Sequence, residues 1–155
     1  MEITDWIQSI VLLVTVVGLI ISIINNRKQV KVFNEQLRLN FFADYTKRYQ
    51  EIILNLPENI NKSHFDYNQL PIDIKNRTLR YMRAYFDLCS EEYDLWNAGY
   101  IDNRIWNNWK EGIEFAFSKP AYRSAWNLIN LDTIYYSEFN KWLNEIFKKV
   151  EISKN

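Results

Sequence analysis

Turn-formers, cysteine and histidine are all scarce in this chain of 155 residues, which holds three Gly, three Pro, one Cys and one His. So few chain breakers exclude a fold of many tight turns and favour long helices on short connections. The single Cys89 permits no internal disulfide, which suits a cytoplasmic domain. With His64 as the lone histidine, a His-rich metal site is excluded, and a site on Cys89 and His64 would have to unite distant elements. Neither sign of charge is in excess. Lys plus Arg and Asp plus Glu each number 19, so the strongly basic face of a general nucleic-acid binder is not expected. No period-two alternation is sustained and no Asn-Gly hairpin signal occurs, so strands are not expected either. A Gly-rich phosphate loop, GxSxG and HExxH are all missing; no catalytic residue, cofactor or metal is assigned.

Charge is absent altogether between Asp5 and Arg27. The run Trp6 to Ile24, WIQSIVLLVTVVGLIISII, would reach about 28 Å as a helix, close to the roughly 30 Å hydrocarbon core of a bilayer. It lacks a basic leader and a small-x-small cleavage site, so a transmembrane segment over residues 1–26 is expected rather than a signal peptide. Arg27, Lys28, Lys31 and Arg38 follow it. The positive-inside rule then places the N-terminus outside and residues 27–155 in the cytoplasm, in a bacterial inner membrane.

The polar guests in this run are ordered. Gln8, Thr15 and Ser22 lie seven apart, and Val11, Gly18 and Asn25 form a second series offset by three. On a helix they share one stripe of mostly small and polar residues, the usual mark of helix–helix contact in membranes with left-handed crossing. Exposing Gln8 to lipid would forfeit its hydrogen bonds. Self-association is therefore the leading expectation. A common axis lined by Gln8, Thr15 and Ser22 is the further possibility, polar but uncharged and so weakly ion-selective. The alternatives are a simple anchor, a dimer or pairing with another membrane protein.

Beyond the run the helical period continues. Val30, Phe33, Leu37, Phe41, Tyr45, Tyr49, Ile52 and Leu56 recur at steps of three and four with no Pro before Pro57, predicting one long helix or two collinear ones to about Leu56. Residues 57–71, mostly polar between Pro57 and Pro71, read as a loop. A second helix is predicted from Asp73 to Trp96 with Gly99 as its stop. Asp102 caps a third over Ile105–Phe117, Pro120 opens a shorter one, and Asp132 or Thr133 caps the last. The fold class is all-α: one N-terminal transmembrane helix running into a bundle of four to five helices.

Three features invite a functional reading. A Cys89–His64 nucleophilic pair is disfavoured, because Cys89 lies on the apolar side of its helix and His64 in a polar loop. Arg83, Asp87 and Glu91 share a helix face at i, i+4 spacing, which reads as a salt-bridge ladder between bundle helices or protomers. Glu91 and Glu92 cannot act as an acid–base pair on one face, being about 100° apart. Trp96, Trp106, Trp109, Trp126 and Trp142 could stack bases, but without a basic background they are better spent in the core and at protein interfaces. Arg83, Asp87, Glu91, Trp96, Trp106 and Trp109 are thus the candidate interface residues of the bundle.

The segment YFDLCSEEYDLWNAGYIDNRIWNNWKEGI, Tyr85 to Ile113, together with the overall layout, resembles the small membrane-bound accessory proteins of type VI-B CRISPR loci. The resemblance covers roughly a fifth of the chain. It implies a divergent HEPN-like helical domain, a pore-forming oligomer, association with an RNA-guided RNA-cleaving effector and a role in phage defence. Active HEPN ribonucleases carry an Arg shortly before a catalytic His. Here the nearest Arg before His64 is Arg48, so that pair is missing and ribonuclease activity by it is not expected. The combined expectation is a non-enzymatic, membrane-anchored homo-oligomer that perturbs or perforates the membrane. The alternatives are a tethered module recruiting a soluble partner through Tyr85–Ile113, or a HEPN-like ribonuclease.

Overall fold

A computed structural model describes the backbone of residues 3–131 and 137–152, and the side chains of 6–131 and 137–148. Among the described residues the fold is all-helical, as the periodicity predicts: α1 (Ile3–Ile53), α2 (Ile72–Asn97), α3 (Asn103–Ser118), α4 (Pro120–Ile129) and α5 (Ser137–Ile152). Two compact units divide the chain, residues 1–43 and residues 44–155. The first is α1 up to Ala43. The second holds the last turns of α1 and every later helix. The composition break at residue 26 and this packing boundary are separate features, because the helix leaves the apolar run well before it gains a core.

α1 runs without a break because nothing in it opposes helix: its one Gly is Gly18 and it has no Pro. It frays through shorter turns, with Asn55 N–H donating to the Ile52 carbonyl at 3.0 Å and the Asn55 amide to the Glu51 carbonyl at 2.8 Å, before Pro57 ends it.

Residues 57–71 are a loop, as expected, but not a merely polar one. Ile60, Phe65 and Tyr67 are buried, Phe65 and Tyr67 meet edge to face at 5.0 Å, and the Tyr67 hydroxyl donates to the Ala121 carbonyl at 3.3 Å. A short 3₁₀ turn, Tyr67–Gln69, is capped by Asp66, whose carboxylate accepts from the Asn68 N–H.

α2 stops as its glycine predicts. Gly99 has φ of 78°, its N–H bonds the Trp96 carbonyl at 2.9 Å, and the Tyr100 N–H reaches back to Leu95 at 2.9 Å, a Schellman closure. Asp102 caps α3 by accepting from the Ile105 N–H at 2.9 Å. α3 and α4 meet at Lys119, with Pro120 pre-set as the first residue of α4. The predicted caps Asp132 and Thr133 lie outside the described residues.

α2 packs on α3, α4 and α5 around a core of aromatic rings. Phe86 and Phe117 are fully buried and stacked at 5.3 Å, and Trp126 stands edge-on to Phe86 at 5.2 Å. Buried positions on α4 (Ala121, Tyr122, Ala125, Trp126, Ile129) and α5 (Phe139, Leu143, Ile146) follow the helical period that the sequence displays.

Candidate membrane interface and buried polar junction

One described helix, α1, is long and apolar enough to cross a membrane, with a mean hydropathy of 2.7 over its most apolar 18 residues, none of them buried. Gln8, Val11, Thr15, Gly18, Ser22 and Asn25 all lie on it and all are exposed. At about 100° per residue each seven-residue step returns to nearly the same face, drifting about 20° backwards, so both series form one slowly coiling stripe. Within it the Thr15 hydroxyl donates to the Val11 carbonyl at 2.8 Å and is satisfied by its own helix. Gln8 makes no side-chain hydrogen bond among the described residues, and a Cβ added at Gly18 would meet no atom within 4 Å. The smooth surface at Gly18 is therefore open to a partner.

The same seven-residue series continues below the apolar run, through Gln29, Gln36 and Ala43 on one row and Val32 and Leu39 on the other. Here the environment changes. Val30, Val32, Phe33, Leu37, Leu39, Phe41 and Phe42 are between 39% and 68% exposed, on a stretch that also carries Arg27, Lys28, Lys31 and Arg38. Phe33, Leu37, Val30 and Phe41 fall within an arc of about 80°, while Val32 and Leu39 lie together about 150° away. Between the two apolar stripes run Gln29, Gln36 and Ala43 on one side and the four cations, with Glu35 and Phe42 among them, on the other.

In the second unit, the last turns of α1 are fastened to α2 and α3 by a polar junction. Arg48 Nη1 donates to Glu91 Oε2 at 2.7 Å and the Tyr45 hydroxyl donates to the same oxygen at 3.3 Å. The Arg48 guanidinium lies over the Tyr45 ring at 5.1 Å, and Tyr45 stacks on Trp109 at 5.4 Å. The Glu91 bond raises the Arg48 pKa further. The pair is more than a third exposed, so its net contribution to stability is at most about 1 kcal/mol. Its effect is to fix register.

Behind it Glu92 is buried, and desolvation pushes its carboxyl up to about 8, with Arg48 acting against the shift and Glu91 adding to it. Burial likewise raises Tyr49, Tyr85 and Tyr122, and lifts the Cys89 thiol well above its ordinary value. A thiol in that state is a poor nucleophile.

The sequence-selected bundle residues are spread over this architecture. Glu91 pairs with α1 within the same chain, Arg83 is half-buried and Asp87 is exposed. Trp106 is 3% exposed and stacks on Trp96 at 4.9 Å with the rings 12° apart. The Trp96 indole N–H donates to Asn103 Oδ1 at 2.9 Å, and Trp109 carries Tyr45. His64 is exposed in its loop, on a different element from Cys89. Arg48, Tyr45 and Glu92 were not legible as a junction, because no local spacing joins α1 to α2. The described residues hold no group of three or more His, Cys, Asp and Glu side chains suited to a metal ion. No family model, curated protein or solved structure matches the chain.

Proposed function

We propose that the chain is a membrane-anchored, non-enzymatic effector that assembles with copies of itself through α1 and perturbs or perforates the bacterial inner membrane. The observation that carries this reading is the two-sided apolar exposure of α1 between Val30 and Phe41. A helix with one apolar stripe in water asks for one neighbour. Two stripes about 150° apart ask for a neighbour on each flank, the arrangement of a closed ring with head-to-tail contacts. In such a ring, Gln29, Gln36 and Ala43 face the axis, in line with Gln8, Thr15 and Ser22 above them. The axial lining is uncharged along its length and polar from Gln8 to Gln36, suited to weakly selective passage. The ring places Arg27, Lys28, Lys31 and Arg38 on its outer face. The domain from residue 27 onward lies in the cytoplasm under this reading, following the same four cations. The resemblance of Tyr85–Ile113 supplies the setting, phage defence beside an RNA-guided effector.

Native mass and cross-linking of the full chain in detergent test the assembly. A defined oligomer larger than a dimer is expected; a strict monomer refutes the proposal and a strict dimer refutes the ring. Dye release from liposomes tests the passage. Gln8→Leu, Thr15→Leu and Ser22→Leu together are expected to abolish release while leaving the oligomer intact, and undiminished release would remove the axial lining.

A further inference from the structure

Arg27, Lys28 and Lys31 follow directly on the apolar run, and each is exposed. None of the three makes an ion pair among the described residues. At 1.5 Å per residue they stand about 4 to 11 Å beyond Ile24. The headgroup layer on one side of a bilayer is about 5 to 8 Å thick, and Lys and Arg side chains reach along a helix to place their charge within it. The three cations also share one sector of about 100°, with Asn34 beside them and Glu35 within it one turn past Lys31, while Gln29 lies on the opposite side. Unpaired cations within about 6 Å of one another along one face form a receptor for phosphate oxygens, with Arg27 offering the bidentate fork and the lysines point charges.

We propose that Arg27, Lys28 and Lys31 form a binding site for the headgroup of an anionic phospholipid at the inner leaflet, on the face of α1 opposite its glutamine row. The site rests on the reading of Trp6–Ile24 as a membrane span. Its consequence is that assembly depends on lipid charge. Each copy brings three cations to the rim of the oligomer, and like charges crowded there repel unless anions lie between them. Anionic lipid therefore acts as the counter-ion of the assembled state and zwitterionic lipid does not.

The test titrates the detergent-solubilised full chain with phosphatidylglycerol and, separately, with phosphatidylcholine of the same chain length, reading bound lipid by native mass. A basic residue at an anionic surface strengthens association about fivefold, so three together favour phosphatidylglycerol by up to about a hundredfold. The preference is expected to vanish in Arg27→Gln, Lys28→Gln, Lys31→Gln. It is expected to survive in Lys62→Gln, Arg77→Gln, Arg80→Gln, which removes three cations elsewhere. Inorganic phosphate at the lipid's concentration is expected not to displace it. Equal affinity for the two lipids, equal loss in both triple variants, or displacement by inorganic phosphate would each overturn the site. Alkaline carbonate extraction separates this from the underlying reading: release of the chain from membranes overturns the span itself, whereas retention without lipid preference overturns the headgroup site alone.

Discussion

Replacing Glu92 by Gln should make the protein more stable at neutral pH and remove most of the pH dependence of its unfolding. Glu92 is 6% exposed on α2, beside Arg48 and Glu91 and close enough to Tyr49 and Cys89 to raise their pKa values. Its carboxyl titrates near 8 when folded against 4.5 when unfolded. Because the folded value is the higher, the folded state binds the extra proton between the two. The contribution of Glu92 to stability is then fully present below pH 4.5, and it is lost as pH rises through 8. At about 1.36 kcal/mol per pH unit, raising the pH from 5 to 7 costs about 2–3 kcal/mol, and above pH 8 the dependence flattens. Gln keeps the volume and the polar character but cannot ionise in either state. Urea unfolding of the full chain in detergent, followed by near-ultraviolet circular dichroism at half-unit steps from pH 5 to 9, measures the slope. Wild type should lose stability across this window while Glu92→Gln stays nearly level, the two curves separating by about 2–3 kcal/mol between pH 5 and 7. A wild-type curve without a slope, or a slope that Glu92→Gln leaves in place, would refute the assignment of a neutral buried carboxyl.

Three further outcomes follow from the same structure. Phe86→Ala opens a void between Phe117, Tyr85 and Trp126 and should cost about 3–5 kcal/mol, measured by the shift in urea midpoint. Gly99→Ala meets no atom within 4 Å, so its cost is that of a left-handed backbone alone, about 1 kcal/mol, with secondary structure unchanged by far-ultraviolet circular dichroism. Cys89, buried with a raised thiol pKa, should resist Ellman's reagent in the folded protein and react at once in denaturant; rapid labelling without denaturant would contradict its burial.

Helix positions were the most legible part of the chain because their causes are local. Gly99 and Asp102 act on backbone groups a few residues away, and the α4 and α5 core faces are set by a 3.6-residue period that needs no knowledge of what they meet. The 57–71 loop is more than its polar composition displays. Phe65 and Tyr67 are apolar residues without a period, and only the carbonyl of Ala121, far along the chain, reveals what the Tyr67 hydroxyl is for. The charged face of α2 divides in the same way. Glu91 and Glu92 were visible as neighbours, but which is paired and which is neutral depends on Arg48, which the chain brings in from another helix.

What the sequence determined by itself is whatever depends on length, composition and period: a span-length apolar helix, its seven-residue polar row, an all-helical fold and the absence of turn-rich architecture. Tertiary structure decided what those residues face. It buried Trp106 against Trp96, locked Tyr45 and Arg48 onto Glu91, and left Phe33, Leu37, Val32 and Leu39 uncovered along α1. The physical reason is that burial and pairing are properties of two elements together. A helix's own sequence sets which residues share a face, and only the neighbour that arrives, or fails to arrive, sets whether that face is core, ion pair or open surface.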